Sequence, residues 1–214
     1  TGTIESSYST ANVTGVCESG GLLGRSHGGK IINCYSSGSV SGGQSAGGLI
    51  GTAKRFNTIA NCCSAGNVVG VESVGGLVGS LNDGTIYNCY STGGVSGQRF
   101  VGGLIGSLGN YDNPKFATVV NCYSAGNVAG VTQVGGLAGG GYFTANAIDS
   151  FWDVETSGQA SSFRGTGKTT AEMQTSATFL EAGWDFLDET ENGTDDIWWI
   201  TEGRDYPKLW WQAE

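Results

Sequence analysis

The sequence predicts an all-β fold: a β-solenoid of about five coils, 27–28 residues each, with a small C-terminal cap containing one short helix. Three observations predict it. The element Gly-Gly-Leu-x-Gly starts at Gly20, Gly47, Gly75, Gly102 and Gly135, at intervals of 27, 28, 27 and 33 residues. Asn-Cys-Tyr-Ser or a variant recurs between these elements, at Asn33–Ser36, Asn61–Ser64, Asn88–Ser91 and Asn121–Ser124. The segments between glycines are four to six residues long and rich in Val, Ile, Tyr and Ser, which suits short strands. Helix is a poor alternative, since each interior Gly costs ~1 kcal/mol relative to Ala.

Taken in order, a worn copy of the repeat, "ESSYS", opens the chain at 5–9, and another, "DSFWD", ends the series at 149–153. Between them, aligned coils predict inward columns of like residues. One is Leu22, Leu49, Leu77, Leu104 and Leu137; the other is Val13, Val40, Val68, Val95 and Val128. Gly42, Gly70, Gly97 and Gly130 are expected at corners that need φ > 0 or close backbone approach. The Asn-Cys-Tyr-Ser strand is ambiguous. Alternation puts Cys with Ser on one face and Asn with Tyr on the other, yet Ile31, Ile59, Ile86 and Val119 share parity with Asn. Either a bulge intervenes or Asn faces inward as a hydrogen-bonded column. The stretch "GNYDNPKF" (109–116) reads as a loop insertion in the fourth unit.

Composition supports an ordered chain with a break near residue 147. Of 214 residues 39 are Gly, but 38% are apolar and recur at fixed offsets, which disorder does not produce. Residues 1–147 hold 6 basic and 5 acidic side chains, whereas 148–214 hold 4 basic, 14 acidic and all six Trp, five of them after position 180. The expected domains are therefore the repeats, 1–147, and an acidic Trp-rich cap, 148–214. The net charge of −9 argues against nucleic acid as a partner. No apolar run is long enough to span a membrane, and Thr1 does not begin a signal peptide.

The recurring "GGLVG" and "NCYS" strings resemble the GLUG motif of large bacterial surface and secreted proteins, over about residues 1–147. The tail from "GTGKTTAEM" to "YPKLWW" is similar to the segment that often follows such repeats. The resemblance implies an extracellular, repeat-built module and carries no catalytic residue set. Cys63 in place of Tyr and the 109–116 insertion depart from the pattern.

Cys34, Cys62, Cys89 and Cys122 share one repeat position, so stacking would bring their Cα atoms within disulfide range. A column of buried free thiols is the plainer reading, and a linear column does not offer convergent metal ligands. "GTGKTT" (165–170) imitates a phosphate loop, but Ser162 stands where the first Gly is required. Thr169 and Glu172 instead form a capping box for a helix over about 170–182, ended by Gly183. Asp188, Thr190, Asn192 and Asp196 fall at calcium-loop offsets, but Trp199 replaces the closing Glu, so a solvated acidic turn is the simpler reading. A Ser-His-Asp or Cys-His site would have to use His27, which lies in the Gly-rich turn "RSHGGK", where a histidine is expected to be solvent-exposed rather than a catalytic base. Trp184, Trp198, Trp199, Trp210 and Trp211 either cover a solenoid end or present aromatic faces to a glycan or docking partner. Asn12 and Asn192 begin acceptor sequons for glycosylation.

These readings converge on an extracellular structural repeat protein without catalysis or cofactor, placed at the bacterial cell surface. A surface stalk, an adhesin segment and a head-to-tail filament subunit all fit. The alternative is a carbohydrate-binding module of a larger secreted protein. The N-terminal end has no candidate cap, so the expected partner is another copy stacking end to end or further repeats of a longer chain.

Overall fold

The computed structural model describes residues 2–109, 117–142 and 145–212. The 110–116 part of the expected insertion lies outside them. The chain divides into two compact units, Thr1–Gly167 and Lys168–Glu214. The composition break near residue 147 falls inside the first unit, because the strand Phe151–Asp153 continues a sheet of the repeats. Among the described residues no helix is long and apolar enough to cross a membrane.

The first unit is a β-solenoid of about five coils built from parallel ladders. Each turn visits four sheets in sequence. In the second turn these stops are Tyr35–Ser36, Val40–Ser41, Gln44–Gly47 and the long strand Ile50–Ala60. We call the sheets the tyrosine, valine, glycine and wide sheets. Pairing is in register: Val13, Val40, Val68, Val95 and Val128 stand on one another along the valine sheet. The Leu column is joined by the backbone, with Leu49 N–H donating to the Leu77 carbonyl and Leu77 N–H to that of Leu104, both at 2.9 Å. Leu49, Leu77, Leu104 and Leu137 are buried and Leu22, in the first coil, is half-buried.

Two apolar compartments run through the unit. The larger holds the Leu and Cys columns with Ile31, Ile59, Ile86 and Val119. The smaller holds the Val column with Ala46, Val74 and Val101. The Gly-Gly pair draws the coils together between them. A Cβ on Gly76 would collide with the Gly103 carbonyl oxygen and with Ser91 Oγ, and Gly48 and Gly103 meet the same crowding. Gly70 and Gly97 do not need positive φ. Their hydrogens face the methyl groups of Val74, which leave no room for a Cβ.

The parity conflict in the Asn-Cys-Tyr-Ser strand has a backbone solution. Asn33, Asn61, Asn88 and Asn121 are left-handed, with φ of 53°, 51°, 51° and 49°. Asn tolerates this region better than other residues with a side chain, and one such residue reverses the alternation. Ile31 and Cys34 therefore both face inward and are buried. The Asn side chains are half-buried and bonded along the stack, Asn61 Nδ2 donating to Asn33 Oδ1 at 3.2 Å and Asn88 Nδ2 to Asn61 Oδ1 at 3.3 Å. A second left-handed column, Glu18, Ser45, Ser73, Phe100 and Gln133, lies in the glycine sheet and has no residue signature.

After Phe151–Asp153 the first unit closes on itself. Asp153 caps the short helix Val154–Ser157 by accepting the Glu155 and Thr156 N–H groups. Ser162 Oγ accepts the Leu137 and Ala138 N–H groups at 3.2 and 2.9 Å, satisfying donors on the last coil. The serine that spoils the phosphate-loop pattern thus serves the solenoid's end.

The second unit has its own core of Met173, Phe179, Trp184, Phe186, Trp198 and Leu209. The capping box of Thr169 and Glu172 is closed in both directions. The helix it starts spans Thr170–Met173, and a separate helix spans Ser176–Leu180. The expected single helix over 170–182 is divided because Thr175 Oγ1 bonds back to the Ala171 carbonyl at 2.8 Å and its backbone turns extended. Gly183, at φ 79°, ends the second helix.

Candidate functional site

The cysteine column has a structural role that residue type alone did not reveal. After each left-handed Asn, the next N–H points along the stack toward the following coil. Cys62 Sγ accepts it from Cys34 at 3.4 Å, Cys89 Sγ from Cys62 at 3.3 Å and Cys122 Sγ from Cys89 at 3.3 Å. Ser150 Oγ takes over in the last coil, accepting from Cys122 at 3.1 Å. The thiols in turn donate to the carbonyls of Ile32, Ala60, Tyr87 and Val120 at 3.0–3.1 Å. All six cysteines are free, and only Cys17 is exposed. Burial, with the Cys122 and Cys62 thiols beside it, pushes Cys89 well above the usual thiol range. The bond to Cys62, then burial, does the same to Cys34. Raised in this way, the Cys34 and Cys89 thiols keep their protons and act as both donor and acceptor within the column.

The tyrosine sheet carries a broken aromatic stack. Tyr8 and Tyr35 rings lie 5.5 Å apart, and Tyr90 and Tyr123 rings 5.0 Å apart. Cys63, in register with Tyr35 and Tyr90, interrupts the series.

The tail tryptophans do not form one surface. Trp184 and Trp198 are fully buried with ring centroids 4.7 Å apart, and Phe179 packs 4.7 Å from Trp184. Trp199 and Trp211 are half-buried, with Lys208 Nζ 5.0 Å from the Trp199 ring centroid. Trp210 is the exposed one of the five, and it stands with Trp211 in a short 3-10 turn.

The acidic turn uses its carboxylates on its own backbone. Asp185 accepts the Asp195 and Asp196 N–H groups, and Glu189 accepts those of Phe186, Glu191 and Asn192. Asn192 Nδ2 donates to the Leu180 and Trp184 carbonyls, so the atom a glycan would join is engaged inside the unit. Asp188 is left-handed at φ 67° and exposed, and Thr190 is exposed as well. No group of three or more His, Cys, Asp or Glu side chains that could hold a metal occurs among the described residues. Asn12 is exposed, its oxygen accepting the Ser39 N–H at 2.9 Å. His27 lies within the strand Leu23–Ile32 and is exposed, rather than in a turn.

A family model described as the GLUG motif matches residues 15–41 and 70–96. The chain carries GLUG repeats. The two GLUG matches begin 55 residues apart, two coils of the solenoid. A relative named "Putative Gly-rich membrane protein", from Evansella cellulosilytica, is 41% identical over 68 residues. That stretch is 32% of this chain and 7% of the relative, so the chain spans a small part of the relative's length. Among solved structures, one titled a putative immunoglobulin A1 protease from Bacteroides ovatus aligns with 97% of this chain and 66% of its own, at a TM-score of 0.51 and 20% identity. That likeness concerns the fold alone.

Proposed function

We propose that the chain is a non-catalytic structural segment of a longer, surface-displayed repeat protein, acting as a stalk or spacer outside the cell. The observation that carries this reading is the self-similarity of the inward columns. Leu stands on Leu, Val on Val and Cys on Cys, so each added coil is held by the same contacts as the last. Such a geometry sets length by coil number. The relative named as a Gly-rich membrane protein, of which the match covers 7%, supports a place within something much longer.

The first coil offers a point of continuation. Thr3–Glu5, Tyr8–Ser9, Val13–Thr14 and Cys17–Gly20 each pair with the next coil on one side, leaving the other edge open to a further coil. We read the occupant as more coils of the same long protein. Antibodies to the chain should label intact cells that make it, and labelling only after lysis would overturn surface display. Light scattering should show a concentration-independent monomer; growth with concentration would instead favour the head-to-tail filament.

A further inference from the structure

The outer surface of the first three coils holds a polar groove of about 340 Å3 where the glycine sheet meets the wide sheet. Glu18 and Gln44 line one side; Arg25, Thr52, Lys54 and Ser80 line the other. Arg25, Thr52 and Ser80 are register partners on successive coils, so the wall presents one polar rung per coil at a spacing of ~4.8 Å. Arg25 and Lys54 share a single carboxylate, that of Glu18, with Lys54 Nζ 3.7 Å from Oε1. The groove thus carries a surplus cation in a chain of net charge −9. Thr52 is 2% exposed, and its hydroxyl has no hydrogen-bond partner. In the fourth coil Phe100 occupies the position held by Glu18 and Ser45 below it, and its ring lies against Gly140.

We propose that this groove binds a carboxylated saccharide. Its lining has no large apolar side chain to attract a lipid or a hydrophobic peptide. Hydroxyl, amide and guanidinium groups repeated at coil spacing match the hydroxyls along a linear chain of sugar rings. The surplus cation selects a ring that bears a carboxylate, which Arg25 and Lys54 receive in competition with Glu18.

The Cys17 thiol also lines the groove, and it is the exposed one of six. Its alkylation rate in the native protein therefore reports occupancy. Trigalacturonate and 3′-sialyllactose represent uronic and sialic acids; cellotriose and inorganic phosphate are the controls. At least one acidic sugar should slow Cys17 alkylation and bind by calorimetry, while neither control does so. Lys54→Glu should weaken that binding roughly tenfold or more. Continued silence of the five buried thiols shows that the variant is folded; if it is not, Lys54→Gln serves the same purpose. Equal protection by cellotriose or phosphate, protection by neither acidic sugar, or undiminished protection in the folded variant would each overturn the assignment.

Discussion

The two units bury apolar side chains in opposite ways. In the repeat unit a side chain's nearest neighbours are copies of itself, one coil above and one below. In the tail unit each core residue is unique: Trp184 lies 4.7 Å from Trp198 and Phe179 6.1 Å from Phe186, ring to ring, with no repeated position. A repeat residue therefore matters according to its place in the stack, and a tail residue according to its own size and partners.

The largest expected effect follows from the second case. Trp198→Ala empties the centre of a small core and should destabilise the tail unit by about 4 kcal/mol, read as loss of near-ultraviolet aromatic dichroism. The repeats supply the contrast. Leu77→Ala, in the middle of its column, should destabilise by about 3 kcal/mol in denaturant unfolding, whereas the half-buried Leu22→Ala should fall near 1 kcal/mol. Equal effects at the two positions would break the stack-position argument.

Much of this organisation was legible in the sequence, and the exceptions have physical causes. Period, strand content and the Leu and Val columns follow from apolar residues at fixed offsets. The orientation of Asn and Cys did not, because period-two alternation assumes an unbroken extended backbone. One left-handed residue per coil, such as Asn61, cancels that assumption, and Asn was itself the available signal. The second left-handed column had no signal. Glu18, Ser73 and Phe100 share a backbone conformation but no side-chain chemistry, so tertiary pairing alone holds them there. The groove was illegible for a related reason: Glu18, Arg25 and Lys54 come together only through coil stacking. The tail's aromatic richness was legible, and strand alternation separates buried Trp198 from half-buried Trp199, whereas Trp210 and Trp211 stand in a 3-10 turn to which alternation does not apply.

A finer comparison lies within the cysteine column, where Ser150 already replaces sulfur in the last coil. Cys89→Ala removes the acceptor for the Cys62 N–H and should destabilise by about 2 kcal/mol. Cys89→Ser keeps an acceptor there and should lose roughly half as much. An alanine variant as stable as the serine would show that sulfur serves only to fill space. In the unmodified protein a thiol reagent should find one fast-reacting group and reach all six only on unfolding.

The smallest effect belongs to the tail's capping box and depends on pH. Glu172 accepts the Thr169 N–H and hydroxyl, both at 2.8 Å, and lies 3.6 Å from Lys168. The Thr169 backbone bond, then its hydroxyl, holds the carboxyl below the usual carboxylate range. A depressed folded pKa contributes stability that is present above the ordinary value of ~4.3 and is lost as pH falls through the folded value. Because Glu172 is largely solvated, this contribution is small. Glu172→Gln retains a group able to close the box, so it should change neutral-pH stability little while flattening the acid limb of the tail unit's unfolding profile. Thr169→Ala opens the box from the other side and should destabilise by about 1 kcal/mol at neutral pH. If Glu172→Gln leaves the acid limb as steep as before, the box carboxylate is not what acid titrates, and Glu189, held low by three backbone N–H groups, becomes the next to replace.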